Sequence, residues 1–210
     1  MRLIKFEHAC VRLESDRGVL VIDPGVFSDA AALDGADAIL VTHEHADHIN
    51  VDPIVAAVSQ RTDIRVYTDA AVAPMLDAVA GSVIAVAPGQ QFEAAGYQVQ
   101  TFGGTHAQIH PDVPLVANLA FLIDGLVYHP GDSLVVPDAT VDTLLVPVSG
   151  PWLKTAEAID FARAIAPRRA LAIHDGLYND FGLGLVDNLF RRLSLTEFHR
   201  LTAGEELTVG

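Results

Sequence analysis

Residues 40–50, LVTHEHADHIN, place three histidines and two acidic residues within six positions at the end of an apolar run. On an extended segment His43 and His45 point to the same side, because side chains alternate with period two, so both imidazoles can reach one metal ion. Asp47 and His48 come after the chain turns, and they can therefore address a second ion. The stretch could instead be a solvated loop or a helix cap. For the spacing H-x-H-x-D-H after a buried run we favour a metal site.

The same spacing excludes one familiar alternative. The helical HExxH motif of single-metal proteases requires a histidine four positions after His43, and this chain has aspartate at position 47. Glu44 is a spacer between the two histidines and is not expected to take part in the chemistry.

Further residues of ligand type each follow a different apolar segment: Asp23, His106, Asp132 and His174. Asp23 could be only a turn former and His174 only a helix cap. Four such residues at strand ends nevertheless indicate a common site, because strand ends hold ligands rigidly. His110 competes with His106, and we favour His106 because it directly follows the strand ending in Gly-Gly-Thr.

The elements that must position these residues are short strands. The segments typical of strands are RLIKFEHA, CVRLES, GVLVID, ADAILVTH, IRVYT, SVIAV, QQFEAAGYQVQTF, NLAFLID, LVYHPG, TLLVPV, RALAIH and two within EFHRLTAGEELTV. The dipeptide Asp124-Gly125 predicts a hairpin between two of them.

Helices are expected between the strands in both halves of the sequence. Asp52 is the expected N-cap of PIVAAVSQR, and Thr155 could cap the amphipathic TAEAIDFARAIAP. AAVAPMLDAVA and GLVDNLFRRL are also predicted to be helical. Strands mixed with helices in both halves predict two sheets, each covered by helices on its outer face.

Composition narrows the class of protein. With 210 residues, half of them hydrophobic, we expect one globular domain over residues 1–210. The net charge of −14 disfavours a nucleic-acid partner, because an acidic surface repels the phosphate backbone. No stretch is apolar enough for a membrane helix, and charges interrupt the N-terminus, so we expect a cytoplasmic protein without membrane attachment. The single cysteine, Cys10, excludes an internal disulfide. Oligomeric state cannot be read from the sequence.

These motifs resemble those of the metallo-β-lactamase-fold hydrolase superfamily, in the order Asp23, His43-x-His45-x-Asp47-His48, His106, Asp132 and His174. The resemblance implies an α/β fold, a four-layer αββα sandwich of two mixed sheets with a dinuclear metal site between them. FEHACVRLES with LVIDPG is most similar to the L-ascorbate 6-phosphate lactonase-like branch. That branch usually has Gly-His near the N-terminus, whereas Glu7 precedes His8 here.

The resemblance also implies roles for individual residues. His43, His45 and His106 would hold the first metal, Asp47, His48 and His174 the second, and Asp132 would bridge both. Asp23 and His129 would orient ligands by hydrogen bonding, and His8 would face the site with a catalytic role beside Asp47 and Asp132. The presence of Asp132 and His48 argues against β-lactam hydrolysis as the main activity.

The implied chemistry is hydrolysis. Seven nitrogen and oxygen ligands without thiolate suit two Zn²⁺ ions, although Mn²⁺ or Fe²⁺ fit the same set. A hydroxide shared by two ions would attack a small-molecule ester or lactone. The alternatives are a phosphodiesterase or nuclease on the same site, an iron redox protein, and a non-catalytic binding module. Tyr178 could contact the substrate or pack under its loop, and Trp152 could line a pocket or an oligomer contact.

Overall fold

The computed structural model describes residues 1–210 and contains two seven-stranded sheets. Every segment predicted to be extended contains a strand. The first sheet has the order β14-β1-β2-β3-β4-β5-β6, with bounds β14 Glu206–Thr208, β1 Arg2–Lys5, β2 Val11–Ser15, β3 Gly18–Ile22, β4 Ala38–Leu40, β5 Arg65–Thr68 and β6 Val83–Ala85. The second has the order β13-β12-β11-β10-β9-β8-β7, with bounds β13 Glu197–His199, β12 Arg169–Ile173, β11 Thr143–Pro147, β10 Val127–His129, β9 Ala117–Ile123, β8 Tyr97–Thr105 and β7 Gln91–Ala94.

The two sheets share one pattern of pairing. In the first, the three pairs from β14 to β3 are antiparallel and the three from β3 to β6 are parallel. In the second, the pairs from β7 to β10 are antiparallel and those from β10 to β13 are parallel. Both sheets are therefore mixed. The predicted hairpin between β9 and β10 is present, with Asp124 and Gly125 at φ 53° and 66°, the left-handed values that a two-residue turn needs.

Three apolar clusters separate the layers. The central one joins the facing surfaces of the sheets through residues such as Leu20, Ile22, Tyr97 and Phe121, all fully buried. A second cluster lies between the second sheet and the helices α2, Thr155–Ile165, and α3, Asp180–Leu193. A third lies between the first sheet and α1, Val51–Gln60, with the 3-10 segments Ala30–Leu33 and Ala73–Ser82. The predicted αββα sandwich is confirmed.

Some local predictions about the helices are wrong. The residue at the N-cap of α1 is Asn50, so Asp52 lies in the first turn, where its charge favours the positive end of the helix dipole. The N-cap of α2 is Lys154, one residue before Thr155. The backbone N–H of Lys154 donates a hydrogen bond to the Glu157 carboxylate. AAVAPMLDAVA forms a 3-10 segment that is interrupted at Leu76 and Val79.

None of the three helices has the length and apolar character needed to cross a membrane. The fold instead gathers polar residues at one edge. β3 and β4 are parallel neighbours, as are β10, β11 and β12, and parallel strands end at a common edge of their sheet. The loops that leave these ends carry Asp23, residues 42–48, Asp132 and His174.

Candidate metal centre

Two groups of four ligand-type side chains lie at this edge, and within each group the ligand atoms are within 4.8 Å of one another. What we call the first group contains His43, His45, His106 and Asp132. What we call the second group contains His8, Asp47, His48 and His174. In each group three side chains are buried, and the remaining one, His45 or Asp47, is partly exposed. Each group is therefore open to solvent through a single ligand.

Asp132 joins the two groups. Its Oδ2 lies 3.2 Å from His106 Nε2 and 3.1 Å from His174 Nε2. Its Oδ1 lies 3.0 Å from His48 Nε2. A carboxylate that touches members of both groups is placed where a bridging ligand is needed.

Buried nitrogen and oxygen atoms without hydrogen bonds indicate whether these residues fit a metal ion. Six buried side-chain nitrogen or oxygen atoms in the chain make no hydrogen bond of suitable geometry, and four of them belong to this centre: His48 Nε2, Asp132 Oδ1, His174 Nδ1 and His174 Nε2. The short distances of three of these atoms to one another or to Asp132 Oδ2 are therefore close contacts and not well-aligned hydrogen bonds. A buried polar atom without a partner costs about 1–3 kcal/mol. Their concentration in a set of imidazole and carboxylate groups fits divalent cations, which accept lone pairs from both ligand types.

Asp23 determines which nitrogen of two histidines remains free. His48 Nδ1 donates to Asp23 Oδ2 at 2.7 Å, and Thr42 Oγ1 donates to the same oxygen at 2.8 Å. The Thr42 hydroxyl then accepts from His43 Nδ1 at 2.9 Å. With both Nδ1 atoms carrying protons, the Nε2 lone pairs of His43 and His48 face the centre.

His106 has the same arrangement with a backbone partner. Its Nδ1 donates to the carbonyl of Ala107, which leaves Nε2 as the free nitrogen near Asp132. His45 contributes the other nitrogen, because its Nδ1 lies 3.1 Å from His43 Nε2. The hydrogen-bond network thus leaves Nε2 of His43, His48 and His106 as the nitrogen directed toward the centre.

His8 has the opposite arrangement. The Gly176 N–H donates to His8 Nδ1 at 3.2 Å, so the proton of the neutral imidazole lies on Nε2. Burial lowers the pKa of His8, which favours that neutral form. His8 Nε2 then donates to Asp47 Oδ2 at 3.1 Å. Although His8 belongs to the second group by distance, its proton makes it a hydrogen-bond donor to a ligand.

His129 does not take part in either group. Its Nε2 donates to the carbonyl of Ala9 at 3.0 Å, and its Nδ1 accepts from the Gly131 N–H at 3.1 Å. The nearest charged atom to the ring is Asp23 Oδ2, 3.8 Å from Nε2. The ring makes no hydrogen bond to a member of either group, and it joins the loop that follows His8 to the loop that carries Asp132.

The charge environment differs between the histidines. Burial lowers the pKa of His43 well below its usual value and also lowers the pKa of His45. Burial also opposes the charged form of His48, but Asp132 and Asp23 outweigh it and raise its pKa well above the usual value. The pKa of the Asp132 carboxyl is well below its usual range because, against the cost of burial, His48 stabilises the anion most.

Three of the seven non-glycine residues with positive φ lie at the centre. His8, Asp23 and His174 have φ values of 59°, 51° and 56°, a left-handed conformation that is uncommon outside glycine and is found at functional sites. Close approach also fixes Gly25, where a Cβ atom would lie 2.0 Å from the carbonyl oxygen of Asp47. Only glycine permits the Asp23 loop to pack against the loop that carries Asp47.

The three residues whose roles the sequence does not assign, His110, Tyr178 and Trp152, lie in different places. The exposed side chain of His110 lies 3.7 Å from Asp112 and belongs to neither group. Tyr178 is exposed in the loop after His174. Trp152 is buried, and its Nε1 donates to Asp132 Oδ2 at 3.0 Å, a contact that no sequence pattern indicates. The role of Thr42 is likewise not predicted, and its position directly before His43 is the one signal for it.

Comparison with known structures gives the class of fold. A metallo hydrolase of Ignicoccus hospitalis, Igni18, superposes with a TM-score of 0.75 at 19% identity, over 98% of this chain and 97% of that one. The metallo-β-lactamase fold protein YhfI of Bacillus subtilis superposes with a TM-score of 0.77 at 17% identity, over 100% and 99%. At these identities the likeness concerns the fold alone.

Comparison of sequences gives the family. Residues 2–174 match the family described as "Beta-lactamase superfamily domain". The chain is 34% identical over 215 residues to Protein Rv0786c of Mycobacterium tuberculosis, covering 99% of this chain and 100% of the relative. It is 27% identical over 202 residues to a UPF0173 metal-dependent hydrolase of Thermoplasma acidophilum, covering 89% and 87%. The chain therefore belongs to the metallo-β-lactamase superfamily.

Proposed function

We propose that this chain is a metal-dependent hydrolase that cleaves a small-molecule ester or lactone, with residues 1–210 acting as one catalytic domain. The observation that carries the proposal is the pair of four-residue ligand groups joined by Asp132. His43, His45 and His106 would hold one divalent ion, Asp47, His48 and His174 a second, and Asp132 both. Zinc is the first candidate because the set contains imidazole and carboxylate without thiolate.

Two such ions would supply a hydroxide nucleophile at neutral pH and would polarise the carbonyl under attack. Asp47 and His8 would orient the attacking water through hydrogen bonds. Asp47 Oδ2 accepts a hydrogen bond from His8 Nε2, whereas Asp47 Oδ1 has no hydrogen-bond partner in the protein. Asp47 Oδ1 is thus the carboxylate oxygen free to accept a hydrogen bond from the attacking water, and His8 holds the carboxylate in place.

The surroundings of the centre favour a small substrate with an apolar part. The ring of Phe27 lies 4.8 Å from that of His8 between centroids, and Val26 and Phe27 are exposed. Leu177 and Tyr178 are exposed in the loop that follows His174. The net charge of −14 disfavours a polyanionic substrate such as RNA. The lactonase-like branch stays a prediction from the sequence, and it places lactones first in a screen.

Metal analysis of purified variants tests the two groups separately. His45→Ala should lose one ion and His174→Ala the other, with ester turnover reduced at least about 100-fold in each, more than the loss expected for a residue that merely orients a ligand. His110→Ala is the matched control, because it removes an exposed imidazole outside both groups. Unchanged metal content in both His45→Ala and His174→Ala would refute the assignment.

A substrate panel distinguishes the alternatives. Metal-replete protein would be assayed on a lactone series, on p-nitrophenyl acetate and on bis(p-nitrophenyl) phosphate. Turnover of lactones or esters well above that of the phosphodiester supports the proposal. The reverse ranking supports the phosphodiesterase alternative. Bound metal without turnover of any of them supports a binding module.

A further inference from the structure

Trp152 is the single tryptophan of the chain, and it lies against the candidate metal centre. Its Nε1 donates to Asp132 Oδ2 at 3.0 Å, and its ring centroid lies 5.7 Å from that of His106 and 5.9 Å from that of His174. Only 8% of the residue is exposed. The indole thus touches the residue that joins the two groups and faces one imidazole from each.

The segment after β11 is built to bring the indole to this position. A Cβ atom at Gly150, whose φ is +150°, would lie 2.8 Å from Trp152 Nε1, so a larger residue there would displace the indole. The Leu153 N–H donates to the Gly150 carbonyl at 3.1 Å and closes the turn around Pro151. The sequence Gly150-Pro151-Trp152 therefore fixes the direction of the N–H bond.

The chemistry of indole separates this contact from the others that Asp132 makes. The nitrogens of His48, His106 and His174 near the carboxylate are potential metal ligands, and their protons would be lost when metal binds. Indole nitrogen is a donor only and cannot bind the metal. Its hydrogen bond to Oδ2 can persist in the loaded protein, whereas the neighbour of Oδ1, His48 Nε2 at 3.0 Å, is a potential metal ligand.

We propose that Trp152 is a positioning residue for the bridging carboxylate: its N–H fixes Asp132 Oδ2 and thereby holds the carboxylate between the two ligand groups. This inference rests on the proposed metal site and adds to it a residue that belongs to neither group. It makes two predictions that can be measured without turnover.

The first concerns fluorescence, because all tryptophan emission of the protein comes from this indole. Titration of metal-free protein with Zn²⁺ should change the intensity or maximum of the emission, and the change should saturate at the stoichiometry given by metal analysis. Co²⁺, which quenches by contact, should reduce the intensity more strongly. Emission that stays constant while bound metal is measured would contradict the proposal.

The second concerns affinity. Trp152→Phe keeps an aromatic ring and removes the N–H, and it should weaken Zn²⁺ binding about 10–100-fold, as loss of an orienting hydrogen bond does elsewhere. Tyr128→Phe is the matched control: it removes a buried aromatic donor whose partner is the carbonyl of Val135, at 2.8 Å, and it should leave affinity unchanged. Both are measured by calorimetric titration, with thermal unfolding to verify the fold.

The outcomes are distinct from those of the proposed function. Wild-type protein that binds no divalent metal would overturn the metal site itself. Wild-type protein that binds metal with the same affinity as Trp152→Phe would overturn only the role of Trp152. Equal weakening in Trp152→Phe and Tyr128→Phe would show that general loosening of the second sheet is the cause, which also contradicts the positioning role.

Discussion

The two ligand groups differ in the hydrogen-bond partners of their histidine Nδ1 atoms. In the first group the partners of Nδ1 are neutral oxygens, the Thr42 hydroxyl for His43 and the Ala107 carbonyl for His106. In the second group His48 donates to the buried carboxylate of Asp23, and His174 Nδ1 has no partner. A carboxylate partner raises the basicity of a ligating imidazole more than a neutral oxygen does.

The two groups also differ in the pKa values of their histidines. Burial dominates in the first group and lowers the pKa values of His43 and His45. In the second group burial lowers the pKa of His8 in the same way, but at His48 and His174 the neighbouring carboxylates outweigh burial and raise the pKa. One fold therefore presents two sites of similar composition with different electrostatics, and substitutions should be able to affect them separately.

The largest effect is expected where the groups meet. Asp132→Asn keeps the size of the side chain and removes the charge that would offset two cations, so we expect both ions to be lost or greatly weakened. Turnover should fall more than about 100-fold, beyond the loss caused by removing an orienting residue. Metal content and ester hydrolysis provide the measurement. Retention of both ions at full occupancy would show that Asp132 does not connect the groups.

Asp23→Asn should weaken metal binding in the second group more than in the first. Asparagine tolerates the left-handed backbone at this position, so the fold should persist. His48 would lose its charged partner, and we expect about 10–100-fold weaker binding of one ion. The other ion should be affected less, because His43 contacts Asp23 only through Thr42. Equal weakening of both ions in a two-site calorimetric titration would remove the proposed asymmetry.

Thr42→Val is the reciprocal substitution. It removes the hydroxyl that accepts from His43 Nδ1 but leaves the hydrogen bond between His48 and Asp23. Because the lost acceptor is neutral, we expect roughly 10-fold weaker binding in the first group, at the low end of the range for orienting residues. The effect in the second group should be smaller, because Asp23 loses the Thr42 donor but still accepts from His48. A two-site titration beside that of Asp23→Asn shows whether the two variants affect different ions.

The smallest effect on metal binding is expected at His129. His129→Leu removes both hydrogen bonds of the ring and leaves the buried Ala9 carbonyl and Gly131 N–H without their partner. Stability should decrease by about 1–3 kcal/mol for each unpaired group, measured by urea unfolding. Metal content should be unchanged, since the ring contributes to neither group. Loss of metal at unchanged stability would contradict this assignment.

The sequence was sufficient to predict the strands and the four-layer arrangement, because alternating and continuous apolar runs directly reflect which faces are covered. It was less informative about helix ends. The predicted N-caps at Asp52 and Thr155 are wrong by two residues and one residue, respectively. The interrupted 3-10 segment Ala73–Ser82 contains Pro74 and Gly81, both poor helix formers.

The residues of the candidate site also differ in how far the sequence predicts them. His43, His45, Asp47 and His48 are contiguous, and their spacing alone predicts ligands. The contact between Trp152 and Asp132 spans 20 residues, and that between His8 and Gly176 spans 168. Such contacts follow from the packing of loops from different strands. Positive φ values at His8 and His174 likewise depend on tertiary contacts, because neither residue type requires them.

The outer strand of the first sheet has a consequence for the order of folding. β14 pairs with β1 through Arg2 and Thr208. One edge of β1 is therefore covered by residues that are synthesised more than 200 positions after it. During synthesis this edge remains unpaired until β14 emerges, and exposed strand edges are where chains associate wrongly. The charged pairs of Arg2 with Glu14 and Glu206 lie on this sheet edge. Until Glu206 is made, Arg2 and Glu14 leave β1 and β2 with charges that discourage pairing with another chain.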